Sequence, residues 1–262
     1  VSVLYCNASV TFLVSFRMSK VVEISPKYFI LDPASELAQD IAANLTWYGP
    51  AFSPKDVPRF YDISALTENP TLFRRVVSAM VARYQSMDES SRPTHILGFD
   101  ARGFLLGTPI ALELGIPFVM MRKAEKSPGV LIRSEPYHKE YAEAHPDTMA
   151  IRLGSIGAGS RVVLIDDLIA TGGTAISGFQ LVEASGASVV EFTAVIGIPF
   201  LDGVKKIHTE ADGRYADVPV FTLVHDSAIT EKTCGDPKDQ PDGAHRVISY
   251  ADIIKKQKTA AQ

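Results

Sequence analysis

Residues 162–174 read VVLIDDLIATGGT, and the order of chemistry along this stretch decides the fold. Val162–Ile165 is an apolar run with the length and composition of a strand buried on both faces. Two carboxylates follow, Asp166 and Asp167, then a short turn in which Ala170-Thr171-Gly172-Gly173-Thr174 opens a helix. A parallel strand that gives way to polar residues and a glycine-rich helix start marks the ligand edge of an open α/β sheet. Gly172 and Gly173 lack Cβ, so backbone N–H groups can turn inward and approach an anion. The helix N-terminus places its partial positive charge at the same spot. Thr171 and Thr174 add hydroxyl donors, and a phosphate fits. The two acids repel that phosphate; they suit the hydroxyls of an attached ribose, or a divalent metal bridging to it. The competing reading is a tight strand–helix turn, with glycine for geometry and threonine as N-cap.

Working outward, the alternation of elements predicts a mainly parallel sheet flanked by helices. Asp32 as N-cap and Pro33 at the first helical position predict a helix over Pro33–Thr46, with Leu37, Ile41 and Leu45 on one face. Trp47–Phe60 reads as an irregular aromatic lobe, and a second helix is expected near Pro70–Tyr84. Strands are expected at Thr94–Phe99, Ile116–Met121, Thr148–Leu153, Val189–Ile198 and Val218–Val224. Helices are expected at Phe104–Leu114, stopped by Gly115, and at Thr174–Ser185. Arg122–Asp147 is polar and too long for an ordinary connection, which predicts a functional loop. The domain reading is an extension at 1–17, an N-terminal hood at 18–65, a core at 66–224 and a C-terminal extension at 225–262.

The chain has 262 residues, 46% hydrophobic and 21% charged, as expected of a globular protein. Its net charge of −4 argues against a partner such as nucleic acid or an anionic membrane, so any anion site must be a local cluster. Two cysteines, Cys6 and Cys234, supply neither a disulfide framework nor a zinc motif; a reducing, cytoplasmic compartment is expected. The chain ends Thr-Ala-Ala-Gln, without a peroxisomal address. Residues 1–17 are apolar but lack a basic leader and the length of a membrane span; the preferred reading starts the native chain at Met18. The P-loop, HExxH and GxSxG patterns are absent, and Gly154–Gly159 precedes a strand and reads as a turn.

The paired acids followed by ATGGT resemble the phosphoribosyl-pyrophosphate (PRPP) signature of the type I phosphoribosyltransferases. Further segments resemble the adenine branch of that family: FYDIS (60–64), LGFDARGF (97–104), RKAEK (122–126) and EY (140–141). The resemblance runs from about Tyr28 to Val224, and the tail beyond it resembles the longer kinetoplastid form. It implies a type I phosphoribosyltransferase-like α/β fold with an N-terminal hood and a flexible catalytic loop. It also implies transfer of ribose 5-phosphate from PRPP to N9 of adenine, giving AMP and pyrophosphate, with Mg²⁺ and as a homodimer.

Residue by residue, the resemblance puts Ala170, Thr171, Gly172, Gly173 and Thr174 around the 5′-phosphate. Asp166 and Asp167 face the ribose hydroxyls and hold the metal, directly or through water or those hydroxyls. Asp100, Ala101, Arg102, Arg122, Lys123, Lys126 and Tyr141 attend the pyrophosphate, with Arg122 able to reach a neighbouring subunit's site. Arg102 follows a strand end and has the fork geometry for a bidentate grip. A non-proline cis peptide is expected at Asp100-Ala101. Glu140 is assigned as general acid/base near N7 of the base. Adenine is expected against the main chain of Arg59, with Phe60 and Leu168 packing on its ring; His138 and His145 are expected to be exposed loop residues. A transferase for another base (hypoxanthine, guanine or orotate) and a non-enzymatic PRPP sensor are the alternatives.

Overall fold

In a computed structural model, residues 20–49, 57–136, 148–236 and 247–260 are described. The chain opens with β1 (Val21–Ser25), β2 (Tyr28–Leu31), α1 (Glu36–Asn44) and β3 (Thr46–Tyr48). Next come β4 (Phe60–Asp62), α2 (Ser64–Thr67), α3 (Pro70–Gln85), β5 (His95–Phe99) and α4 (Arg102–Leu114). Then follow β6 (Phe118–Lys123), β7 (Leu131–Arg133), β8 (Met149–Arg152), β9 (Arg161–Ile169) and α5 (Gly173–Ala184). β10 (Ser188–Gly197), α6 (Gly203–Gly213), β11 (Val220–His225) and α7 (Tyr250–Ala260) complete the order.

Among the described residues, nine strands form one sheet in the order β1-β2-β11-β10-β9-β5-β6-β8-β7. The run from β2 through β11, β10, β9 and β5 to β6 is parallel. β1, β8 and β7 add antiparallel edges. Side chains alternate between the two faces. Val163 and Ile165 of β9 join one core with α3 and α4 residues such as Met80 and Leu106. Val162 and Leu164 join a second core with Phe179 of α5 and Ile207 of α6. Both faces are therefore covered, as a parallel sheet requires.

The connection β5–α4–β6 builds the sheet in one direction, and β9–α5–β10–α6–β11 builds it in the other. The order reverses between β5 and β9. At such a switch point the two connections diverge and leave a crevice beyond the carboxyl ends of the strands. β9 outruns its neighbour: pairing with β5 ends at Gly98↔Ile165, whereas pairing with β10 continues to Ile169↔Gly197. α4 sits tightly against this point because Gly103 has no side chain; a Cβ there would collide with the Ile165 carbonyl.

Several local expectations change. The strand continues through Asp166, Asp167 and Leu168, so the acids stand on an extended strand end rather than just beyond it. α1 begins at Glu36 with Ser35 as its cap, while Asp32 accepts from the Ala34 N–H at 3.0 Å in a preceding turn. β1 and β2 extend the main sheet, leaving β3–β4 as a separate two-stranded lobe. The long polar segment after β6 contains β7, whose pairing with β8 supplies the backbone partners a bare loop would lack. Helix α6 has no counterpart among the expected elements: its sequence GVKKIHTEADG carries few apolar residues, among them the fully buried Ile207.

Candidate active site

Two helix N-termini flank the switch point, and neither has a side-chain cap. α4 starts after Ala101 and α5 after Gly172, and neither of these residues caps its helix with a side-chain hydrogen bond. α1 and α3, away from the crevice, are capped by Ser35 and Asn69. The uncapped N–H groups are the donors that ligand oxygens can satisfy. Gly172 has a φ of +81°, and a Cβ on it would lie 2.5 Å from the carbonyl oxygen of Gly203. Glycine is thus required both by backbone conformation and by the closeness of α6. Threonine as helix cap is excluded here, because the cap position is Gly172.

The crevice has two chambers. One, of about 290 Å³, is walled by Ala170–Thr174, by Leu168, and by Val57, Arg59, Phe60 and Tyr61 of the lobe. The other, of about 370 Å³, is walled by Asp100, Ala101, Lys123, Lys126, Phe99 and Met149. Arg102, Asp166, Asp167 and Thr174 line both. The first chamber is apolar beside the lobe and rich in N–H donors at its loop. The second is charged throughout, with Arg102, Lys123 and Lys126 set among Asp100, Asp166 and Asp167. A larger cavity of about 760 Å³ lies between α1 and the end of β11, lined by residues such as Leu31, Ala42 and Leu223. It has no convergence of acids, cations and helix N-termini, so it is not the candidate.

At the junction, Asp166 Oδ1 accepts the Asp167 N–H at 2.9 Å. Desolvation raises the Asp166 carboxyl well above its ordinary value, and the neighbouring Asp167 charge raises it further. Asp167 is raised by burial too, opposed by the Arg102 guanidinium. Arg102 Nη1 stands 3.3 Å from Asp167 Oδ2 and its guanidinium lies 5.6 Å from the Phe60 ring centre. That ion pair lacks hydrogen-bond alignment, so Asp167 Oδ2 is buried without a hydrogen-bond partner. Such an acceptor calls for a donor or a cation from a ligand. Among the described residues no group of three or more His, Cys, Asp and Glu side chains could cage a metal. Two carboxylates next to a phosphate cradle do fit Mg²⁺, which keeps waters and takes its other ligands from substrate phosphates.

The fold brings most of the expected residues together. Ala170, Thr171, Gly172, Gly173, Thr174, Asp166, Asp167, Arg59, Phe60 and Leu168 share the first chamber. Asp100, Ala101, Arg102, Lys123 and Lys126 share the second, and the Asp100-Ala101 peptide is cis. Arg122 lines neither described chamber; its Nε lies 3.3 Å from Asp100 Oδ2 of its own chain. Glu140, Tyr141, His138 and His145 fall outside the described residues. Sequence reasoning missed Val57 and Leu201 as chamber walls, since single apolar residues in irregular segments carry no signal. It also missed that Ile229–Asp236 brace the lobe.

The model of the phosphoribosyl transferase domain matches residues 62–236. The chain belongs to the phosphoribosyl transferase family. Its curated relatives include the adenine phosphoribosyltransferase of Acidovorax sp. (strain JS42), 42% identical over 63% of this chain and 84% of the relative. Among solved structures, Leishmania donovani adenine phosphoribosyltransferase superposes with a TM-score of 0.83 at 53% identity, covering 90% of this chain and 99% of that one. The Trypanosoma brucei enzyme, solved with AMP, pyrophosphate and ribose-5-phosphate, gives 0.83 at 48% identity, covering 91% and 99%. Within the family, the chain therefore groups with the adenine phosphoribosyltransferases, in the longer form of Leishmania and Trypanosoma. These two structures cover 90% and 91% of the chain, against 63% for the Acidovorax relative.

Proposed function

We propose that the protein transfers the 5-phosphoribosyl group of PRPP to N9 of adenine, releasing AMP and pyrophosphate in purine salvage. The observation that carries this reading is the pair of unlike chambers meeting at Asp166, Asp167, Arg102 and Thr174. A substrate with an anionic group at each end of a ribose, and a flat base to join at C1, matches that division. The Trypanosoma brucei relative, solved with AMP, pyrophosphate and ribose-5-phosphate, supports it.

The 5′-phosphate takes the N–H groups of Ala170–Thr174 and the start of α5. Asp166 and Asp167 accept hydrogen bonds from the ribose hydroxyls, which supplies the donor that Asp167 Oδ2 lacks. Arg102, Lys123 and Lys126, with the N-terminus of α4, hold the pyrophosphate. Tyr141 and Arg122 complete that side, and Arg122 orders Asp100 or serves the partner of a homodimer. Asp166 and Asp167 would hold Mg²⁺, directly or through water, and the ion supplies neutralisation of the leaving group's charge. The base lies against the main chain of Arg59 between Phe60 and Leu168.

The C1–O bond to pyrophosphate breaks ahead of the C1–N9 bond, so C1 acquires oxocarbenium character while pyrophosphate takes the electron pair. Fixed charges poised at both ends stabilise this state without reorganising. N9 attacks with its lone pair from the N7–H tautomer of adenine, and Glu140 takes the N7 proton. A segment between β6 and β8 that admits substrate and then excludes water suits this step. No described helix is long and apolar enough to cross a membrane. A cytoplasmic enzyme with Cys234 kept as a thiol is the accompanying reading.

The test mixes protein, Mg²⁺ and PRPP with each base separately and measures pyrophosphate. Release with adenine alone is expected. Release with another base instead would change the substrate, and PRPP binding without turnover would make the protein a sensor.

A further inference from the structure

The base chamber depends on a lobe whose own sheet is small. β3 and β4 share three residue pairs, and a two-stranded ribbon of that length has no independent stability. Trp47 and Tyr61 anchor it in the core, Arg102 stacks on Phe60, and the segment after β11 adds a set of hydrogen bonds. Trp47 Nε1 donates to the Thr230 carbonyl at 3.0 Å, and the Gly235 N–H donates to the Trp47 carbonyl at 2.7 Å. The Gly49 N–H donates to Asp236 Oδ2 at 2.5 Å. At the chamber wall itself, Arg59 Nη1 donates to the Ile229 carbonyl at 2.9 Å and Nη2 to Glu231 Oε1 at 2.7 Å. The same guanidinium lies 4.5 Å from the Trp47 ring centre.

With its guanidinium committed to the tail and to Trp47, Arg59 has its main chain and stem left to face the chamber. We propose that Glu231, together with the Ile229 carbonyl, is a positioning residue for the base. It acts through Arg59, setting the Arg59 main chain, just ahead of β4, at the distance and angle from which the edge of a purine is read. The inference rests on the adenine reading above. An exposed ion pair adds little to fold stability. Glu231 is 77% exposed and Arg59 25% exposed at the side chain, so the pair's contribution lies in geometry. Misplacing a reading group costs binding of the base and spares the phosphate and pyrophosphate ends, which other elements hold.

The experiment measures KM for adenine, KM for PRPP, kcat and Tm for the full chain and for Glu231→Ala, Glu231→Gln, Glu231→Asp and Lys232→Ala. Glu231→Ala is expected to raise KM for adenine about fivefold, the upper end of what an exposed ion pair supplies. KM for PRPP and Tm stay unchanged. Glu231→Gln falls between, Glu231→Asp recovers most of the loss, and Lys232→Ala on the same segment has no effect. Arg59→Ala combined with Glu231→Ala is no worse than Arg59→Ala alone, as expected of a residue acting through another. An unchanged KM for adenine in Glu231→Ala overturns the proposal. So does a parallel rise in both KM values with a lowered Tm, which would mark a merely structural role. If the unaltered chain fails to use adenine, the functional reading fails instead, and the two failures are told apart by the wild-type control.

Discussion

Asp166→Asn is expected to stabilise the fold and cripple turnover, and both effects follow from two carboxylates crowded at one strand end. In the free protein Asp166 is desolvated and lies beside Asp167, which disfavours its charged form. Asparagine keeps the oxygen that accepts the Asp167 N–H, a bond of 2.9 Å, and removes the charge. Relieving a functional site in this way commonly stabilises by about 0.5–2 kcal/mol. For a chain of this size each kcal/mol is about 2–4 °C in Tm. The sign depends on pH. A carboxyl whose folded pKa stands above its unfolded value binds more protons folded than unfolded. Wild-type stability therefore falls as pH rises from the ordinary carboxylate value of 3.8 through the elevated native value. The variant lacks that loss, so its advantage is small in acid and full at neutral pH. Thermal melts of both proteins at about pH 4.5 and about pH 8 read the difference. Turnover moves the other way. Losing a charged hydrogen bond to the ribose costs about 1.5–3 kcal/mol, or roughly 10- to 150-fold in kcat/KM for PRPP. A variant less stable than wild type at neutral pH, or an advantage independent of pH, would refute the reasoning.

Gly172→Ala places a Cβ at a φ of +81° and 2.5 Å from the Gly203 carbonyl oxygen. It should cost about 1–3 kcal/mol and weaken AMP binding by calorimetric titration; unchanged AMP affinity would remove the loop from the phosphate site. Glu191 is 1% exposed and pairs with Arg83, which bonds it through Nε at 2.9 and 3.0 Å and through Nη2. Glu191→Ala leaves the largely buried Arg83, 17% exposed at its side chain, uncompensated and should lower stability by about 3 kcal/mol in urea unfolding, with kcat per folded molecule unchanged. Glu140→Leu should lower turnover far more than PRPP affinity, and an unchanged single-turnover rate would strip Glu140 of its acid/base role.

Much of the site is legible in the chain itself because its chemistry is contiguous. Asp166, Asp167 and Ala170–Thr174 occupy one strand–loop–helix passage, and Asp100–Arg102 another, so local pattern carries both. Arg102 is legible as a cation at a helix start, but its 3.3 Å pairing with Asp167 is not. The two residues lie on different elements and meet only because β9 and β5 are neighbours. Helix α6 is hard to see in the sequence because its buried side is small. The extension of β9 past Ile165 is hidden because aspartates interrupt the apolar run, while β10 pairing continues regardless.

The sequence by itself determined the α/β class, the glycine-rich helix start and the acids beside it. Hydrophobic periodicity, glycine placement and charge are local properties, and they survive in a one-dimensional reading. The tertiary structure alone decided that the order reverses between β5 and β9, which creates the crevice and divides it into two chambers. It also decided that the tail after β11 braces the lobe, through bonds such as Arg59 to Ile229 across 170 residues. A side chain donating to a distant main-chain carbonyl leaves no pattern in the segment that accepts it. Every residue but proline offers the same backbone groups, so only their meeting in space selects one.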